Sequence, residues 1–113
     1  MKVLLPSGGV VSVYGEPNSL EWETPLQGVQ HELADDKCAA QRPVETSEQP
    51  IGGLKGARGR LVCGDRVVVL LLAFRPGGGP IYWLRLQTTS SHDRADEAVL
   101  SDLAAGFKLI RWQ

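Results

Sequence analysis

Polar and apolar residues divide the chain into three zones. From Met1 to about residue 25, short apolar stretches alternate with Gly and Pro. Val10–Tyr14 follows the turn pair Gly8-Gly9 and is rich in β-branched and aromatic side chains, which predicts a strand. Gly15-Glu16-Pro17-Asn18 supplies the next turn. A second extended piece places Leu20 and Trp22 on one face and Glu21 and Glu23 on the other, and stops at Pro25. The middle zone, about Gln27 to Gly59, is polar and irregular. Within it Gln30–Gln41 has a thin helical stripe of Leu33, Ala34, Lys37 and Cys38, closed by Pro43. The stretch from there to Gly59 is expected to be a mobile connection.

From Arg60 the pattern sharpens. Arg60–Cys63, the turn pair Gly64-Asp65 and Arg66–Phe74 form a hairpin signature. Pro76–Pro80 makes the next reversal, and Ile81–Thr88 returns as a strand. In that strand Tyr82, Leu84 and Leu86 face one side, and Trp83, Arg85 and Gln87 the other. The period then changes. Ala95, Val99, Leu100, Leu103, Ala104 and Phe107 recur at spacings of three and four, the stripe of an amphipathic helix. Ser91 or Asp93 is placed to cap it, and Gly106 to end it in a left-handed turn. Phe107–Trp112 then runs out as a last short strand.

Val67–Phe74 has no polar alternation, so both faces of that strand require burial. The fold class is therefore α+β. An antiparallel sheet of about five to six strands carries the C-terminal helix on one face. Either a second short helix or a dimer partner covers the other. The 113 residues suit one domain.

Twelve Lys and Arg against thirteen Asp and Glu give a net charge of −1. Phosphate binding draws on concentrated positive charge, so nucleic acid is not an expected partner. Lys55, Arg58, Arg60 and Arg66 read as a solvated loop and strand edge. No apolar run reaches the roughly twenty residues of a membrane-spanning helix, and the start is too short for a signal peptide. A cytoplasmic location follows as the expectation. There Cys38 and Cys63 read as reduced, small apolar residues, with a single bridge between them as the alternative.

Nucleophilic catalysis needs a thiol or hydroxyl beside an oriented base. Cys38 and Cys63 with His31 and His92 offer only unconnected members, and Asp93 is assigned to a helix start. Metal spacing is lacking, since the cysteines lie 25 apart and the histidines do not pair; Asp35-Asp36 is a weak match to a hard cation. No GxxxxGK[S/T] occurs. Gly53–Gly56 and Gly56–Gly59 have the outline of a GxxG loop but precede a strand. Neither a cofactor nor a metal is expected. The candidate surface for a protein partner, self-association or a small ligand is the sheet face bearing Trp83 and Arg85, a cation–π arrangement. Trp112 near the C-terminus and the neighbouring Tyr82 complete it. The function expected is a non-enzymatic binding or accessory domain. The alternative is a small enzyme or ligand-binding protein with a pocket at a dimer interface, containing His31, His92 or Cys63.

The order of features over roughly residues 60–111, with Ile81-Tyr82-Trp83-Leu84-Arg85-Leu86 and the closing Ala104-Ala105-Gly106-Phe107-Lys108-Leu109, resembles the second half of PsbP-like and DcrB-like α/β/α sandwiches. The resemblance implies a non-catalytic accessory protein. Relatives of that fold include photosystem assembly factors, small-GTPase partners and chaperones that shield apolar segments of secreted bacterial effectors.

Overall fold

Strand Arg66–Phe74 decides the architecture. No side chain from Val67 to Ala73 is more than 2% exposed, so apolar material lies against both of its faces. In the computed structural model, which describes residues 1–36, 38 and 45–106, this strand is β5 of a six-stranded antiparallel sheet. The elements are β1 (Lys2–Leu4), β2 (Val10–Glu16), α1 (Pro25–Ala34), β3 (Glu45–Glu48), β4 (Lys55–Cys63), β5, β6 (Ile81–Thr89) and α2 (Asp93–Ala105). They pair in the order β1-β2-β6-β5-β4-β3.

Each helix covers one face. Val68, Leu70 and Leu72 of β5 join Ala57, Leu61, Ile81 and Trp83 in a core closed by Val29 and Leu33 of α1. Val67, Val69, Leu71 and Ala73 point the other way, with Tyr82, Leu84 and Leu86, toward Leu100 and Ala104 of α2. Ile51 and Leu54 complete that second lid. They bridge each other across Gly52-Gly53, both at positive φ. The two-sided burial expected of the apolar run is met within one chain, and no dimer partner is required over it.

The second helix lies nearer the N-terminus than Gln30–Gln41. Thr24 caps α1 by accepting from the Gln27 backbone N–H, while the Gln27 side chain accepts from the Thr24 N–H. Pro25, expected to end a strand, instead opens the helix at a position where its missing N–H costs nothing. Leu20–Trp22 is accordingly a loop. Asn18 brackets it, donating to the Trp22 carbonyl at 2.9 Å and accepting from the Trp22 N–H at 3.0 Å. This clamp holds Glu21 at φ +54°, a conformation that surrounding structure must impose on a non-glycine residue.

The supposed mobile connection before Gly59 contains β3 and the first half of β4. Gly56 and Gly59 are close-packing positions there. A Cβ on Gly59 would lie 2.4 Å from Val29 Cγ1, so glycine is what lets α1 rest on the sheet. At the Gly64-Asp65 turn, Gly64 at φ +60° closes the β4–β5 hairpin, as its position between two strands predicts.

Helix α2 stands where its period placed it, with a shifted stripe. Asp96, Leu100 and Ala104 are buried and Leu103 packs beside them, whereas Ala95 and Val99 face outward. Charge explains the shift. Arg58 pairs with Glu97, and Arg60 with both Asp93 and Glu97, docking the outer flank of α2 on β4. Asp96 Oδ2, inside the core boundary, accepts from Ser7 Oγ at 2.7 Å and Thr88 Oγ1 at 2.6 Å, tying the β1–β2 turn to β6. Neither Ser91 nor Asp93 caps the helix: His92 is the N-cap residue and makes no side-chain cap bond. Gly106 ends it at φ −84°, in the right-handed region. The strand expected over Phe107–Trp112 lies outside the described residues.

Cys38 and Cys63, expected as separate thiols, are joined as a disulfide with Cα atoms 6.0 Å apart. The 25-residue separation hid their proximity, which arises because α1 lies over β4. Closing a loop of this length constrains the unfolded chain and is worth about 3 kcal/mol. Urea unfolding with and without dithiothreitol should show that loss; coincident curves would mean that α1 packing alone closes the loop.

Candidate functional site

Helix α1 lies over β3, β4 and β5, and among the described residues no helix covers, on that side, the face formed by β1, β2 and the second half of β6. Register assigns the side chains there. Ser12 stands opposite Arg85, Tyr14 opposite Trp83, and Val10 opposite Gln87 and Leu4. Leu4 is 78% and Tyr14 40% exposed; Ser12 and Arg85 are half-buried. Glu32 of α1 and Glu16 of β2 act electrostatically on the Tyr14 hydroxyl, as does Arg85.

Of the sequence-predicted residues, Trp83 and Arg85 do share this face, but in different roles. Trp83 is fully buried, edge-on to Trp22 with ring centroids 6.1 Å apart, and its Nε1 donates to Glu16 Oε1 at 2.7 Å. It is a floor timber whose ring face is not offered outward. Tyr82 points to the opposite, α2-facing side, where it is 5% exposed in the core. It is therefore separated from Trp83 and Arg85 by the sheet. Trp112 lies outside the described residues. Ser12, Tyr14 and Glu32 were not anticipated. The alternation in Val10–Tyr14 puts Ser12 and Tyr14 on one face, but only the long-range β2–β6 pairing sets that face beside Arg85.

The arginines are treated unequally. Four lie on β4, β5 and β6. Arg58 and Arg60 are paired with α2, and Arg66 donates to both oxygens of Asp36 at 2.9 and 3.0 Å. Arg85 makes no ion pair among the described residues. Its guanidinium is met by Gln87, whose oxygen, with the amide turned to suit, accepts from Arg85 Nη2 at 3.1 Å and Nε at 3.2 Å. The Cys38 backbone N–H and the Arg66 side chain hold the Asp36 carboxyl below the usual carboxylate range, so Asp36 is committed locally and is not half of a cation site with Asp35.

Burial pushes the Tyr14 hydroxyl above its ordinary pKa, Glu16 and Glu32 add to the rise, and Arg85 opposes it. Titration followed by phenolate absorbance should therefore find Tyr14 ionising above the free tyrosine range. Arg85→Gln should raise it further and Glu32→Gln lower it. No response to either change would mean that the three groups do not share this surface.

The other candidate chemistry is dispersed. His31 is exposed on α1, its ring 5.5 Å from Trp22, and borders a shallow concavity of about 470 Å³ with Leu20, Glu23 and Gln27. His92 stands at the start of α2, and Cys63 is consumed in the disulfide. Among the described residues no helix is long and apolar enough to cross a membrane. Comparison of the chain with models of protein families finds no match, and comparison with curated proteins and with solved structures finds no significant match either.

Proposed function

We propose that this chain is a non-enzymatic binding or accessory domain whose working surface is the open half of the sheet beside α1. One observation carries the reading: α1 packs on β3–β5, and among the described residues the other half of that face combines exposed Leu4 and Tyr14 with an arginine that makes no ion pair. The other arginines of the described strands, Arg58, Arg60 and Arg66, are neutralised by a helix or its C-terminal turn, so the lack of an ion pair at Arg85 is a property of this face and not of the described sheet. Because β5 is already lidded on both sides, the occupant of the open half is a protein or small-molecule partner rather than a copy needed to complete the core. The accessory role is the one that the resemblance of residues 60–111 to PsbP-like and DcrB-like sandwiches implies. The Cys38–Cys63 bridge favours an oxidising compartment over the cytoplasm.

The test is an NMR fragment screen on the labelled chain. Binders should shift the amides of Ser12, Tyr14, Glu32 and Arg85. Binders that gather instead at the Leu20–His31 concavity, or none at all, would overturn the reading.

A further inference from the structure

Resting on that reading, the geometry points to a chemical class of ligand: Arg85 anchors the carboxylate of a small organic monocarboxylate, whose apolar body lies over the neighbouring sheet surface. A planar guanidinium presents paired donors that match a carboxylate in two parallel hydrogen bonds. On this sheet that capacity is spent on an acid at Arg66, which grips both oxygens of Asp36, whereas Arg85 meets only the neutral Gln87 through Nε and Nη2 and keeps its Nη1–Nη2 edge for a carboxylate. The groups beside Arg85 extend the match. The Ser12 hydroxyl stands directly across the strand pair and the Tyr14 hydroxyl on the diagonal. Each is able to donate to an anion. Gln87, by accepting from Nε and Nη2, fixes the plane of the guanidinium without neutralising it.

The surroundings also limit the charge of the guest. Glu16 and Glu32 act on Tyr14, and Asp36 lies within the field of Arg85. The site, with Glu16 and Glu32 already acting on the Tyr14 hydroxyl beside Arg85, accommodates a single negative charge held in bidentate contact. It offers no gain for a second, so phosphate esters and nucleic acid are poor guests here. Val10, and Leu4 at the exposed end of the patch, supply apolar area for one ring or branched chain.

Benzoate, benzyl alcohol and phenyl phosphate, titrated separately against the labelled chain, separate these terms. Benzoate should shift Ser12, Tyr14 and the Arg85 side chain with an affinity at least tenfold above benzyl alcohol, the scale of a charge-assisted bond pair. Phenyl phosphate should bind no better than benzoate. Arg85→Gln, checked by its unfolding curve, should lose at least tenfold for benzoate and nothing for benzyl alcohol, with Arg85→Lys between. Equal affinities for benzoate and benzyl alcohol at these residues would overturn the carboxylate assignment while leaving the binding surface standing. So would phenyl phosphate binding more tightly, or an Arg85→Gln protein that still prefers benzoate. Failure of all three probes to perturb this face would overturn the assignment and, with an empty fragment screen, the surface too.

Discussion

Gly59→Val is expected to lift α1 off the sheet and to remove about 4 kcal/mol or more of stability. A Cβ at Gly59 would meet Val29 Cγ1 at 2.4 Å and Leu33 Cδ1 at 2.5 Å, both from buried side chains of α1. Overpacking alone costs about 1–3 kcal/mol. The only relief is to raise the helix, which re-exposes Val29 and Leu33 at roughly 2 kcal/mol each. The total is a large share of the 5–15 kcal/mol that holds a typical domain together. Gly53→Ala is the informative comparison. Nothing lies within 4 Å of its Cβ, but φ is +83°, so only backbone strain of about 1 kcal/mol applies. Urea midpoints should rank wild type above Gly53→Ala and that well above Gly59→Val. A Gly59→Val protein with a near-native midpoint would show that α1 is not seated against β4.

These glycines also mark where sequence reading stops. Strands β5 and β6, the Gly64-Asp65 turn and α2 were legible because each is written locally, in an apolar run, a turn pair or a three-to-four period. The need for cover on both faces of Val67–Phe74 followed from the same local fact. The identity of the second lid did not. Beyond its first residue, Pro25, α1 buries just Val29 and Leu33 as apolar side chains and gains its contact from Gly28 and Gly59, where missing side chains allow close approach. A hydrophobic pattern does not register an absence. Its true start was readable in Thr24-Pro25 and Gln27, a capping box with proline at the first turn, but Pro25 also suits the end of a strand.

The disulfide and the proposed binding surface were hidden for one shared reason. Both depend on pairings distant in sequence: Cys38 with Cys63 through α1 on β4, and Ser12 with Arg85 through β2 on β6. Arg85 itself was visible as a strand-face cation. What distinguishes it, the lack of an ion pair among the described residues, becomes apparent only once Arg58, Arg60 and Arg66 are seen with theirs.

Trp83→Ala should cost about 4 kcal/mol, within the range for removing a buried tryptophan, and the pattern of its effects separates a floor residue from a ligand contact. The ring is fully buried among the α1-facing core residues, so the cavity would open beneath Trp22 and loosen the loop that Asn18 clamps. Trp83→Phe retains much of the volume and loses the N–H that Glu16 accepts at 2.7 Å. Glu16 is only half-buried and can recover that bond from water, so the loss of the hydrogen bond itself should cost about 1 kcal/mol. Near-ultraviolet circular dichroism should lose the signal of the edge-on Trp22–Trp83 pair in both variants, while urea unfolding should leave Trp83→Phe the more stable of the two, because its smaller loss of volume leaves a smaller cavity. A ligand-facing tryptophan behaves oppositely, losing fragment binding on change to phenylalanine at unchanged stability. Unfolding midpoints of Trp83→Ala within 1 kcal/mol of wild type would return Trp83 to the surface role that its alternation with Arg85 first suggested.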